Sequence, residues 1–486
     1  MAIVDVPVED HEQYRNELAS IAKDGKRKWI YARQPDGRFY RRRTILSVIL
    51  LAFLFGSPFI HINGQPFMLL NILDRKFVLF GMPFMPQDFH LVVLLFLTLL
   101  VTIVLFTAVL GRVWCGWLCP QTIFMEMVFR KIEYLVEGPP KVQILLDKAK
   151  FDVHKAWRKS LKHAIFFGIS FLIANSFLSY IIGVEKLWRI VTDPPQQHLA
   201  GLTAITVFSF VFYAVFARFR EQACVIVCPY GRYQSALVDD DTMAITYDFR
   251  RGEPRKKFSK ADKIAAEAGA AIADRGDCID CHQCVTVCPT GIDIRNGIQL
   301  ECVNCTACID ACDDVMDKIR KPRGLIRYTS YNAVKSGVNS LFNGRVKAYL
   351  AVWFVLVSVV TTVFAMRSDV EVVILRQPNT LYSQNADGQY INFYIVQFTN
   401  KTYNELPVAV RLIAPAGGSV TSLGLAAQVS GQTSVEGRIM VALPPSVLAG
   451  QRTPLVLEVV NGNHEERITT TFLGPEAPPG TTEKNR

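Results

Sequence analysis

Residues 367–486 contain no cysteine, although the 486-residue chain carries 12. A disulfide framework is therefore excluded for that segment. No Walker A, GxGxxG or HExxH pattern occurs, so nucleotide or flavin binding has no support. Charge is sparse as well, at 20% of residues against 50% apolar, with a mean hydropathy of +0.22. A soluble chain of this size normally falls below zero, so membrane insertion is the first expectation. The 53 Lys and Arg outnumber the 43 Asp and Glu, yet residues 367–486 hold 9 basic against 10 acidic. The surplus thus sits with the apolar runs, which points to membrane topology and away from a nucleic-acid partner.

Five apolar stretches are long enough to cross a bilayer, which takes about 20 helical residues. They are Thr44–Ile62, His90–Leu110, His163–Gly183, Leu199–Ala217 and Lys347–Met366. The first contains Pro58, is too long for a signal peptide and is followed by no small-residue cleavage site. Residues 61–89 and 184–198 have 2 Lys or Arg each, whereas residues 1–43, 111–162 and 218–345 have 10, 10 and 19. The positive-inside rule then predicts a cytoplasmic N-terminus and an exported C-terminal segment, periplasmic if the membrane is a bacterial inner membrane. All 12 cysteines fall on the reducing side, an independent signal for the same topology. Arg41-Arg42-Arg43 reads as a charge anchor for the first span. Thr122–Val136, with Glu126, Arg130, Lys131 and Glu133, reads as an amphipathic helix on the membrane surface. Haem between spans is disfavoured, because His61, His90, His163 and His198 all stand at span ends.

Between the fourth and fifth spans lies Cys278-Ile-Asp-Cys281-His-Gln-Cys284-Val-Thr-Val-Cys288-Pro289, followed by Cys302-Val-Asn-Cys305-Thr-Ala-Cys308-Ile-Asp-Ala-Cys312. This is two-cluster ferredoxin spacing, in which three thiolates on a tight loop bind one 4Fe–4S cluster and the fourth reaches the other. One cluster is expected at Cys278, Cys281, Cys284 and Cys312, the second at Cys302, Cys305, Cys308 and Cys288. Zinc ribbons use CxxC pairs instead, and disulfides contradict the compartment. The second run ends Cys312-Asp313 where Cys-Pro is usual, and His282 reads as an exposed spacer.

The other four cysteines form a duplicated pair. The second span ends in Cys115-Gly-Trp-Leu-Cys119-Pro120 and the fourth in Cys224-Val-Ile-Val-Cys228-Pro229. Two copies of a span–loop–span–CxxxCP unit in one orientation predict parallel repeats about the membrane normal. If each helix continued, the i and i+4 thiols would share a face, and a two-fold relation could gather all four. Soft thiolates select Cu(I), zinc or iron–sulfur centres. The alternative is a set of inert cysteines buried in helices.

After Met366 the period changes. Val370–Leu375, Tyr390–Phe398, Val408–Ile413, Ser434–Leu443 and Pro454–Val460 are β-rich and divided by Gly, Pro and Asn. Six or seven strands suggest an immunoglobulin-like sandwich, for which partner docking and passive bulk are the alternatives, with a frayed tail from Pro475. The expected fold is thus a helical transmembrane bundle carrying a cytoplasmic two-cluster ferredoxin-like insertion and a C-terminal all-β sandwich. Its parts are a basic leader (1–43), four spans (44–237), the ferredoxin-like region (238–345), a fifth span (346–366) and the exported domain (367–486).

Taken together, the chain resembles the FixG/RdxA/CcoG family of membrane-bound ferredoxin-like accessory factors for cbb-type cytochrome oxidases. The resemblance rests on Gly37-Arg-Phe-Tyr-Arg-Arg-Arg43, on Arg75-Lys-Phe-Val-Leu-Phe-Gly81 with Pro86-Gln87-Asp88, on both CxxxCP elements, on the paired cluster motif and on the β-rich tail. It implies reduction of Cu(II) to Cu(I) for oxidase assembly, with copper at Cys115, Cys119, Cys224 and Cys228. It also implies a cytoplasmic electron donor, and oxidase subunits or copper-delivery proteins as partners of the exported domain. A relay to a quinone-linked partner and a non-redox assembly scaffold are the alternatives.

Overall fold

A computed structural model describes residues 19–22, 24–72, 76–84, 88–257, 275–338, 342–461 and 464–476. Arg75, Pro86, Gln87 and most of the tail from Pro475 lie outside the described residues. The chain forms two compact units, the second made of residues 362–486 together with short pieces of the 63–87 segment.

Among the described residues, five helices are long and apolar enough to cross a membrane. They are α1 (Arg38–Gly56), α2 (Phe89–Leu110), α3 (Val153–Ile182), α4 (Leu199–Ala214, prolonged by a π-helical turn to Phe219) and α6 (Gly344–Ala365). Helix α5 (Ala307–Lys318) lies in the long connection between α4 and α6. Helix α1 begins earlier than its apolar run and ends at Gly56, because the following Ser57-Pro58 disfavours further α geometry. Helix α3 likewise starts well before His163 and stops at Gly183, whose φ of 85° closes it.

Large apolar side chains of α2 and α6, such as Phe96, Leu99, Phe354 and Val355, remain exposed, as lipid-facing positions do. The interior is aromatic: Phe129 stacks on Phe216 with centroids 4.4 Å apart and meets Phe166 edge-on at 4.8 Å. Phe129 belongs to the stretch expected to lie on the membrane surface. That expectation is corrected: Phe124, Met125, Met127, Phe129, Arg130 and Glu133 are all buried. What looked like a polar face is instead an internal ion network. Arg220 Nη1 meets Glu133 Oε1 at 2.6 Å, and Lys162 Nζ meets Glu137 Oε1 at 3.0 Å.

In the long connection, β1 (Ala244–Tyr247) pairs antiparallel with β2 (Ile326–Thr329). Ile245, Tyr247, Leu325 and Ile326 pack with Met316 of α5, forming a small core around the cysteine motifs.

The second unit is a sandwich of seven strands of five or more residues among those described. They are β3 (Val370–Arg376), β4 (Tyr390–Asn400), β5 (Ala409–Ala414), β6 (Ser419–Leu423), β7 (Thr433–Leu443), β8 (Arg452–Asn461) and β9 (His464–Leu473). One sheet runs β6-β7-β4-β3 and the other β5-β8-β9. Strand β4 alternates buried and half-buried positions, so Tyr394, Val396 and Phe398 meet Leu455, Leu457 and Phe472 in the core. Burying each such side chain contributes about 1.5–3 kcal/mol, which replaces the absent disulfide. Asn392 Nδ2 also donates across the sandwich to Leu473 O at 2.8 Å.

Candidate functional site

The two cysteine runs have the same local shape. Asp280 and His282 in the first and Asn304 and Thr306 in the second all have φ between 49° and 65°. Asp and Asn tolerate that left-handed geometry better than most residues, and the alternation curls successive amides around a concavity. Each loop thereby frames a cavity. One, with about 360 Å³ of empty space, is lined by Cys278, Cys281, Cys284 and Cys312 together with Tyr247, Met316 and Leu325. The other, of about 320 Å³, is lined by Cys288, Cys302, Cys305 and Cys308, with Cys284 at its edge. Helix α5 carries Cys308 into one cavity and Cys312 into the other.

Burial pushes these thiols up, to about 12 for Cys284, Cys302 and Cys312 and about 11 for Cys288, so without metal they are protonated at neutral pH. Four thiols around each otherwise apolar space suit a 4Fe–4S cluster. Among the described residues no three His, Cys, Asp or Glu side chains converge closely enough to hold a single ion. Cys281 is the exposed member, whereas Cys305 and Cys308 are buried. His282 is half exposed and contacts Arg295 Nη2 at 2.8 Å. Asp313, in the position where proline is usual, pairs with Arg38 at 3.3 Å and accepts from Gly324 N at 3.0 Å.

The CxxxCP elements do not prolong their helices. Helix α2 breaks at Gly111 (φ 61°) and the α4 helix at Arg220 (φ 52°). Each break leads into a π-helical turn, Trp114–Leu118 or Ala223–Val227, which carries the first cysteine. The second cysteine is extended, and its amide closes the turn: Cys119 N donates to Trp114 O at 2.9 Å and Cys228 N to Ala223 O at 2.8 Å. Pro120 and Pro229 then start new helices, their missing amides costing nothing at the first position. The helical i, i+4 face is thus corrected to a turn; Cys224 lies within electrostatic reach of Cys115, Cys119 and Cys228, although among the described residues no three of these thiols converge to hold one ion. The Cys115 thiol is pushed up to about 11 by burial, with Arg112 pulling it down and Cys119 and Cys228 adding to the rise. The Cys224 thiol reaches about 12 by burial and by the nearby Cys119, Cys115 and Cys228. Cys115 donates to Gln234 Oε1 at 2.9 Å, a fully buried residue that sequence reasoning did not single out.

The first turn is pressed against the second cysteine loop. Cys115 shares an apolar cluster with Val303, Cys305 and Ala307. A Cβ on Gly116 would collide with Val303 O, and Trp117 Nε1 donates to Asn304 O at 3.2 Å. Arg112 joins the same region, donating to Leu300 O with its Nε buried and unpartnered. Glu126 pairs with Arg130 at 3.4 Å, which accounts for its place in the interior.

Comparison with known proteins agrees with this division. Residues 219–331 match a 4Fe-4S dicluster domain, residues 92–137 a 4Fe-4S binding domain, and residues 360–475 the Ig-like fold at the C-terminus of FixG. Protein RdxA of Cereibacter sphaeroides is 33% identical over 386 residues, covering 76% of this chain and 79% of its own. Protein RdxB of the same organism is 30% identical, covering 88% of this chain and 90% of its own. The nitrogen fixation protein FixG of Rhizobium meliloti is 29% identical, covering 85% of this chain and 83% of its own.

Proposed function

Because the chain belongs to the FixG/RdxA family and is an iron–sulfur electron-transfer protein of the membrane, we propose that it reduces Cu(II) to Cu(I) for the assembly of a cbb-type oxidase. Cys278, Cys281, Cys284 and Cys312 hold one cluster, and Cys302, Cys305, Cys308 and Cys288 hold the other. Bound there, two 4Fe–4S clusters supply one-electron storage. The exposed Cys281 marks the side open to a soluble one-electron donor, and the buried Cys305 marks the side packed on Cys115. Copper, as substrate, meets Cys115, Cys119, Cys224 and Cys228, where one electron from the reduced cytoplasmic donor converts Cu(II) to Cu(I). Soft thiolates favour the reduced ion, and their protons leave to solvent as it binds. Cys115 and Cys224 exclude water by burial, while Arg112 and Gln234 orient the Cys115 thiol. The N-terminus and every cysteine lie on the cytoplasmic side of a bacterial inner membrane, and the sandwich lies in the periplasm, placed to meet oxidase subunits or copper carriers.

The observation that carries this reading is the contact of the Cys115 turn with the Cys302–Cys305 loop, backbone against backbone at Gly116. The test is anaerobic: the reduced full chain receives Cu(II) and a Cu(I)-specific chelator while cluster bleaching and Cu(I) are followed together. Catalytic Cu(I) formation that is lost in Cys115→Ser/Cys224→Ser with clusters intact is the expected result. Intact, reducible clusters without thiol-dependent Cu(I) would withdraw copper in favour of a quinone-linked relay. A second reading rests on the match of residues 92–137 to a 4Fe-4S binding domain, a segment whose cysteines are Cys115 and Cys119. It puts an iron–sulfur centre at the four turn thiols, and iron per chain separates the two, falling with the double substitution only in that case.

A further inference from the structure

The first helix is fastened to the cluster region at its start. Phe39 N and Tyr40 N donate to the two carboxylate oxygens of Asp310 on α5, at 3.2 and 2.8 Å. Arg38 pairs with Asp313 one turn further on. Gly37 lets the chain approach so closely that a Cβ there would collide with Asp310. Helix α1 also packs against the Trp114–Leu118 turn that carries Cys115. Between these two contacts the helix delivers Arg43, expected from sequence to be a membrane-surface anchor. Arg41 and Arg42 are exposed, but Arg43 is only 2% exposed, and its Nε and Nη2 have no hydrogen-bond partner. No described carboxylate lies within ion-pair distance of it.

A cation buried without a carboxylate is costly unless another negative charge is due beside it. Its placement points to the Cys288/Cys302/Cys305/Cys308 cavity: α1 is docked on α5, which carries Cys308, and packs on the turn whose Cys115 shares an apolar cluster with Cys305. The guanidinium also acts on the Cys305 thiol, as Glu126 does with opposite sign. Glu126 is already paired with Arg130. Arg112 approaches the same cavity at Cys302, again with no carboxylate partner among the described residues. The other cavity is the reverse case. Its nearby cation, Arg295, is neutralised by Asp293 and Asp280, each at 2.6 Å.

We propose that Arg43, positioned by the docking of α1 on Asp310 and Asp313, compensates the negative charge of the cluster at Cys288, Cys302, Cys305 and Cys308, raises its reduction potential above that of its neighbour, and so makes it the centre from which electrons leave toward Cys115. A guanidinium in a low-dielectric interior stabilises the reduced, more negative state of a nearby centre. The order of the two centres follows: in at the exposed Cys281, out beside Cys305. This inference rests on the cluster reading above.

The experiment is a redox titration of the full chain in detergent, followed by electron paramagnetic resonance, on wild type, Arg43→Gln and Arg43→Lys. Two resolvable centres are expected, one of which moves to lower potential in R43Q and returns toward wild type in R43K. The same shift should persist in a Cys281→Ser background, which replaces a residue of the other cavity. Unchanged potentials in R43Q, or equal shifts of both centres, overturn the inference while leaving the cluster reading intact. A wild-type chain without two 4Fe–4S signals overturns the cluster reading itself. Should R43Q fail to fold, Asp310→Asn loosens the docking: a downward shift of the same centre supports the proposal, and none overturns it.

Discussion

The turn at Cys115 and the turn at Cys224 follow one backbone path and have different neighbours. Each begins at a left-handed residue, winds through five π-helical residues, extends at its second cysteine and restarts at proline. The first uses glycine where the second uses bulk. Gly111 stands where a Cβ would come 2.6 Å from Met243 O, while the matching Arg220 is held by Glu133. Gly116 stands against Val303 O, while the matching Val225 is half-buried. Repeated residues therefore set the turn, and the unrepeated ones decide which copy touches the cluster loop. A duplicated unit has been made into one contact face and one brace.

That contrast can be broken most severely at the brace. Glu133→Gln removes the 2.6 Å partner of the buried Arg220 guanidinium, which keeps Glu221 at 3.7 Å, and is expected to cost about 1–3 kcal/mol, read as a fall in the melting temperature of the detergent-solubilised chain. A small fall would mean that the left-handed Arg220 does not depend on its partner. Next comes the contact face: Gly116→Ala should cost about 1–3 kcal/mol by overpacking against Val303 and should slow electron delivery to the thiols. The matching Val225→Ala should stay within about 1 kcal/mol and leave transfer unchanged. Equal effects at the two positions would remove the distinction. The smallest effect concerns reactivity. With Cys115 raised to about 11 and Cys224 to about 12, both are neutral thiols at pH 8 in metal-free protein. Alkylation of each should quicken about tenfold per pH unit, Cys115 levelling off before Cys224. Labelling already pH-independent at pH 8 would contradict the burial that sets these values.

What could be read from the sequence was whatever is encoded locally. Ligand spacing in Cys278–Cys288 and Cys302–Cys312 predicts which four thiols line each cavity, because a tight loop leaves little choice of partner. Five spans were legible from continuous apolar runs, and the sandwich from alternation in strands such as β4. Strand β9 was not picked out, since its Glu and Thr residues lack an apolar face strong enough to signal pairing with β8. The break at Arg220 was hidden because arginine gives no hint of a left-handed backbone, and its partner Glu133 lies 87 residues away. Arg43 looked like its neighbours Arg41 and Arg42. Only its long-range docking distinguishes it.

The same docking has a consequence for how the chain is made. Helix α1 has no cap of its own: the amides of its first turn are satisfied by Asp310, roughly 270 residues later in the sequence. During synthesis the first helix therefore enters the membrane with an open end, and it stays open until α5 has been translated and folded. Closing it requires the loop that also shapes the second cysteine cavity. The end of the earliest membrane segment is thus fastened only by the region that carries the second cysteine run.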